Sequence, residues 1–165
     1  MTTSREVDIL LVEDNPSDAE LCLRALRRNN IANSIDVVTD GEEALEYLTQ
    51  TGRHAGLSGG PRPKVVLLDL KLPKIGGLEV LERVKADPAI NGVPVVILTS
   101  SREDPDIARA YELGVNSYIV KPVEFDGFSE AVRQLGFYWL LLNESPLQGL
   151  GREVISAPAV PSASP

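Results

Sequence analysis

The stretch VVLLD, residues 65–69, restricts the possible folds of this chain more than any other. Val65, Val66, Leu67 and Leu68 run together without the polar alternation of a half-exposed strand. An unbroken apolar run of this length describes a strand covered on both faces, as in a parallel sheet flanked by helices. VDILLVED (7–14) and VPVVILTS (93–100) repeat the pattern, and NSIDVVTD (33–40) and NSYIVKP (116–122) read as shorter strands.

Helical periodicity separates these strands. After Asn15, a capping residue, and Pro16, which suits a first helical position, SDAELCLRALRRNN spaces Ala19, Cys22, Leu23 and Leu26 along one face. GEEALEYLTQ (41–50), GLEVLERVKADP (77–88), REDPDIARAYELG (102–114) and EFDGFSEAVRQLGFYWLLLN (124–143) predict four more helices. Strict alternation of five strands with five helices implies a parallel sheet with right-handed crossovers and helices on both faces. TGRHAGLSGGPRPK (51–64) is aperiodic, rich in Gly and Pro, and expected to be a long surface loop. Residues 6–143 make one folded unit, and the Pro-, Ser- and Ala-rich stretch 144–165 reads as a flexible tail.

In open parallel sheets, sites form beyond the carboxyl ends of the strands. Glu13 and Asp14 stand at that end of the first strand, Asp69 ends the third, Thr99 ends the fourth and Lys121 follows the fifth. Any one of these is ordinarily a solvated strand end, but their joint placement on one edge is not an ordinary outcome. Three crowded carboxylates repel one another and require protonation or cations. Lys121 supplies one charge, and a hard divalent ion such as magnesium, which favours carboxylate and phosphate oxygens, would supply the rest. Such a site suits phosphoryl transfer, with a carboxylate able to act as nucleophile.

The ordered set LLVEDNPSD, VVLLDLKLPKIGGLEVL, VVILTSS and YIVKP resembles the receiver domain of two-component response regulators, over roughly residues 6–140. The resemblance implies a flavodoxin-like, doubly wound α/β fold: a five-stranded parallel sheet in order 2-1-3-4-5 with five flanking helices. It implies that Asp69 accepts a phosphoryl group from a sensor histidine kinase. Asp14 and Asp69 would ligate Mg2+ with the backbone carbonyl of Lys71, and Glu13 would join directly or through water. Lys121 and Thr99 would bind the phosphoryl oxygens, Tyr118 would be the switch aromatic, and the bond before Pro122 would be cis. The implied role is that of a signalling phosphoacceptor, not an enzyme, with at most slow autodephosphorylation.

The long 51–64 loop, VKPVEFDGF and the late aromatic cluster resemble, more narrowly, single-domain regulators paired with phytochrome-type kinases. The tail is too short for an output domain, so signalling is expected to pass through protein contacts or onward phosphotransfer. GFYWLLL (136–142) is apolar all round and needs a second burial surface. A homodimer through Phe137, Tyr138, Trp139 and Leu140 is the favoured reading, ahead of a kinase surface, with a folded-back tail as the bland alternative. His54, the single histidine, is not expected to carry phosphate or metal.

Composition narrows the partners. The formal charge of −8, from 24 acids and 16 bases, argues against a nucleic-acid surface. The lack of a long apolar span or a leader points to a cytoplasmic protein without a membrane role. With one cysteine, Cys22, no disulfide can form within the chain. Two rival functions remain, a haloacid-dehalogenase-like phosphohydrolase and a degenerate scaffold receiver. The hydrolase needs a second acid two positions after its nucleophile, where this chain has Lys71, and the scaffold should lack Asp14, Asp69 or Lys121. A flavin-binding module is disfavoured by the acids after the first strand.

Overall fold

The computed structural model describes residues 7–28, 34–57 and 59–135. The elements are β1 (Ile9–Val12), α1 (Pro16–Arg28), β2 (Ile35–Val38), α2 (Gly41–Thr49), β3 (Val65–Asp69), α3 (Gly77–Ala86), β4 (Val95–Thr99), α4 (Asp106–Glu112), β5 (Ser117–Val120) and α5 (Phe125–Leu135). A 3-10 helix, Gly52–Leu57, lies between α2 and β3. All strand pairs are parallel, in the order β2-β1-β3-β4-β5.

Successive side chains of each strand serve opposite faces. Ile9, Leu11, Val65, Leu67, Val96 and Leu98 pack beneath α1 and α5, which contribute Leu26 and Phe128. Leu10, Val12, Val66, Leu68, Val95 and Ile97 pack beneath Leu48 of α2, Leu81 of α3 and Ala110 of α4. The two clusters account for the unbroken apolar runs: both faces of the central strands are dry. Full burial of a side chain such as Phe128 stabilises the fold by roughly 1.5–3 kcal/mol.

Local chemistry sets the helix starts. The Asn15 side chain accepts the backbone N–H groups of Ser17 and Asp18 at 2.8 and 3.0 Å, and Pro16 opens α1. Asp40 caps α2 by accepting the Glu43 N–H at 2.7 Å. Gly77 opens α3 so close to the end of β3 that a β-carbon there would collide with the Asp69 carbonyl and the Leu70 backbone.

Two helix boundaries need correction, and the 51–64 loop gains detail. The fourth helix begins at Asp106, not 102, because Pro105 disfavours helical geometry in the residue before it and the Asp104 side chain turns back to accept the Asp106 N–H. The third helix stops at Ala86, two residues early, just ahead of Pro88. The 51–64 loop is partly ordered by α2 and its C-terminal cap. Gln50, in the left-handed region at φ 61, donates through its side chain to the Gly60 carbonyl and accepts the Gly59 N–H. Arg53 pairs with Glu46, His54 with Glu43, and Arg62 donates to the Leu48 carbonyl. The last helix is described only to Leu135, so Phe137, Tyr138, Trp139 and Leu140 lie outside the described residues, as does the 144–165 tail.

Candidate functional site

Strand register brings the polar residues to one level. Val12 pairs with Leu68, which sets Glu13 beside Asp69, and Asp69 pairs with Leu98, which sets Thr99 one step beyond. Thr99 pairs with Val120, and the Lys121 N–H donates to the Thr99 carbonyl at 2.8 Å. The Lys121–Pro122 peptide is cis.

Glu13, Asp14 and Asp69 each bring a carboxylate oxygen within 4.8 Å of the others, a spacing that one cation can bridge. Glu13 and Asp69 are buried, at 2% and 4% exposure, whereas Asp14 is open to solvent. The Lys71 N–H donates to Asp69 Oδ1 at 3.1 Å, fixing that carboxylate and placing the Lys71 backbone at the rim. The pocket, of about 210 Å3, is also lined by Thr99 and Lys121.

Lys121 Nζ is shared among three carboxylates: Asp18 at 3.0 Å, Glu13 at 3.1 Å and Asp69 at 3.3 Å. Burial alone would pull the ammonium below its ordinary value. The hydrogen bonds to Asp18 and Glu13, with the Asp69 charge, outweigh burial and hold it well above. Glu13 is pushed up to about 7, first by burial and then by its contact with Asp69, against the opposing Asn15 N–H and Lys121.

Thr99, 2% exposed, directs its hydroxyl at the Ser101 carbonyl and Asp104 Oδ2, each at 3.1 Å. Tyr118 is half-buried and packs against the core beneath α2, α3 and α4.

The structure thus gathers Glu13, Asp14, Asp69, Thr99 and Lys121 in one pocket, as the strand-end argument anticipated. Two acids of the pocket were not anticipated, Asp18 and Asp104. An acid in the first turn of a helix is ordinarily explained by the helix dipole, which hid Asp18. Asp104 was hidden by the expectation that α4 already spanned it.

Residues 9–133 match the response regulator receiver domain. The chain belongs to this family. The receiver is 44% identical over 138 residues to a probable methanogenesis regulatory protein, FilR2, of Methanothrix harundinacea, covering 84% of this chain and 86% of that one. It also resembles the solved bacteriophytochrome response regulator AtBRR, with 56% identity, a TM-score of 0.77, and coverage of 85% of this chain and 99% of that one. The Mn2+-bound form of the response regulator Rcp1 is 37% identical with a TM-score of 0.65, covering 81% and 94% of the two chains; Rcp1 is from a Synechocystis species.

Receiver domains hold a divalent metal at such an acidic pocket and pair with histidine kinases. The chemistry of this receiver's donor set fits a hard dication: three carboxylates in reach of one point, two of them buried, with an open side for water and phosphate oxygens. Among the described residues, no helix is long and apolar enough to cross a membrane.

Proposed function

We propose that this receiver accepts a phosphoryl group on Asp69 from a phosphohistidine of a sensor kinase, in a reaction that depends on Mg2+. The observation that supports this most is the meeting of Glu13, Asp14 and Asp69 within 4.8 Å while Lys121 stands 3.3 Å from Asp69. In the transfer, a carboxylate oxygen of Asp69 forms a P–O bond as the P–N bond to the donor imidazole breaks. The imidazole leaves with the bonding electron pair.

Asp14, Asp69 and the Lys71 carbonyl would hold the ion, with Glu13 direct or through water. A bound dication neutralises charge between the carboxylates and the phosphoryl oxygens. Lys121 would exchange part of its contact with Asp18 and Glu13 for a phosphoryl oxygen. Thr99 would redirect its hydroxyl to another, and Tyr118, beside the same strand, would repack in response. The similarity to bacteriophytochrome response regulators favours a phytochrome-type kinase as donor, a cytoplasmic setting, and output through protein contacts or onward phosphotransfer. A homodimer involving Phe137 to Leu140 belongs to the same reading, and a fall from dimer to monomer mass on sizing after removal of residues 137–165 is its expected sign.

The deciding experiment exposes the protein to magnesium and a small acyl phosphate, then assays for a hydroxylamine-labile adduct. The expected result is one adduct per chain, lost in Asp69→Asn and on chelation of the metal. An unmodified wild-type protein would refute the assignment, and sustained release of phosphate from many esters would favour a hydrolase.

A further inference from the structure

The hydroxyl of Thr99 carries one hydrogen and can donate it to one acceptor at a time. That hydrogen now faces Asp104 Oδ2 and the Ser101 carbonyl, and Thr99 Oγ1 accepts the Ser101 N–H at 3.3 Å. Asp104 is half-buried and lines the same pocket as Asp69. Its other oxygen, Oδ1, accepts the N–H of Asp106, the first residue of α4, at 2.9 Å. One carboxylate therefore joins the hydroxyl at the end of β4 to the start of α4.

We infer that Asp104 is a positioning residue that competes with the phosphoryl group for the Thr99 hydroxyl and so restrains the switch. The inference rests on Thr99 being a phosphoryl ligand, as proposed above. A hydroxyl-to-carboxylate hydrogen bond is charge-assisted and stronger than one to a neutral acceptor. A phosphoryl oxygen must displace this contact to recruit Thr99, and the displaced carboxylate remains tied to α4. Movement of Thr99 towards Asp69 thus changes what holds the α4 start. The negative charge of Asp104, facing the pocket, opposes an incoming anion as well.

Asp104→Asn separates the restraint from the helix start. Asparagine keeps an oxygen for the Asp106 N–H but turns an amide donor towards Thr99 Oγ1, which leaves the hydroxyl hydrogen only the weaker, neutral Ser101 carbonyl as acceptor. The probe is beryllium fluoride, a phosphoryl mimic, titrated with magnesium present into the full chain. Asp104→Asn is expected to tighten its binding by about fivefold or more. Removing a charge contributes to that gain whatever Thr99 does, so the same substitution is repeated in Thr99→Ala. There the gain should shrink by at least about threefold, the coupling expected of two groups in direct contact.

An unchanged or weakened affinity in Asp104→Asn overturns the inference, as does an equal gain with and without the Thr99 hydroxyl. Absence of binding to the wild-type protein overturns the phosphoryl site itself, and the restraint falls with it. Asp104→Ala, which loses both contacts, should show the tighter binding together with a lower melting temperature. If it melts lower without binding tighter, Asp104 serves the helix start alone.

Discussion

The ammonium of Lys121 lies 3.0 Å from the carboxylate of Asp18, nearer than its 3.3 Å approach to Asp69. An acid from the first turn of α1 therefore shares the cation that the pocket holds beside its central carboxylate. Asp18 keeps 36% of its side chain exposed, so its hold on Lys121 is modest and reversible.

A divalent ion bound as proposed would compete with Lys121 for Glu13 and Asp69. Asp18→Asn leaves the ammonium with those two partners and should weaken Mg2+ binding by about two- to fivefold. Lys121→Met removes the competitor and should tighten binding by about fivefold or more. Calorimetric titration of both variants measures the two changes, and shifts in the same direction would contradict the competition.

Glu13 gives the ion-free protein a particular pH dependence. Its value is pushed up to about 7 from the ordinary 4.5. Between those limits the folded chain retains a proton that the unfolded chain has released. Its contribution to stability is complete below about pH 4.5 and declines as pH rises towards about 7. A divalent ion held by Glu13 would require the charged carboxylate and would reverse the trend. Melting curves from about pH 5 to about pH 8 should show magnesium stabilising the protein increasingly across the range. Glu13→Gln should flatten that dependence.

The approach of α3 to β3 tests how finely the central carboxylate is placed. Gly77→Ala puts a β-carbon against the Asp69 carbonyl and the Leu70 backbone, neither of which can yield as a flexible side chain would. A loss of about 1–3 kcal/mol in urea unfolding is expected, together with weaker metal binding as Asp69 shifts. Gly76→Ala next door meets open space and serves as the control.

Gln50 ties the segment after α2 through two hydrogen bonds while in the left-handed region. Gln50→Ala should lose both ties and keep the backbone cost, and limited proteolysis should then cut within 51–64 faster. Gln50→Gly loses the same ties but relieves the backbone, and should be about 1 kcal/mol more stable than the alanine variant.

The sheet and its edge were legible because they follow from apolar runs and strand ends. Val65–Leu68 could be dry on both sides only inside a two-faced sheet, and Glu13, Asp14, Asp69, Thr99 and Lys121 could then fall only on one edge. What the sequence left hidden depends on side chains reaching back across loops. Asp18 lies in the first turn of α1 and not at a strand end, so nothing drew it to the site, yet its oxygen meets a lysine 103 residues away. Asp104 was placed inside α4, although Pro105 breaks the helix there and frees the carboxylate to meet Thr99. The ordering of 51–64 was equally silent, since Gln50, Arg53 and Arg62 have no periodic signature.

Crowding Glu13, Asp18 and Asp69 around one ammonium, with the Asp14 carboxylate alongside, would also set an order of arrival. Without a dication, the mouth of this cleft presents an electronegative potential that repels inorganic phosphate and small phosphate esters alike. A dication bound there would reverse that potential locally, so an ion would have to arrive before a phosphorus compound could lodge. Background noise from the surrounding phosphate pool would thereby be suppressed by the same acids that would make a genuine message possible.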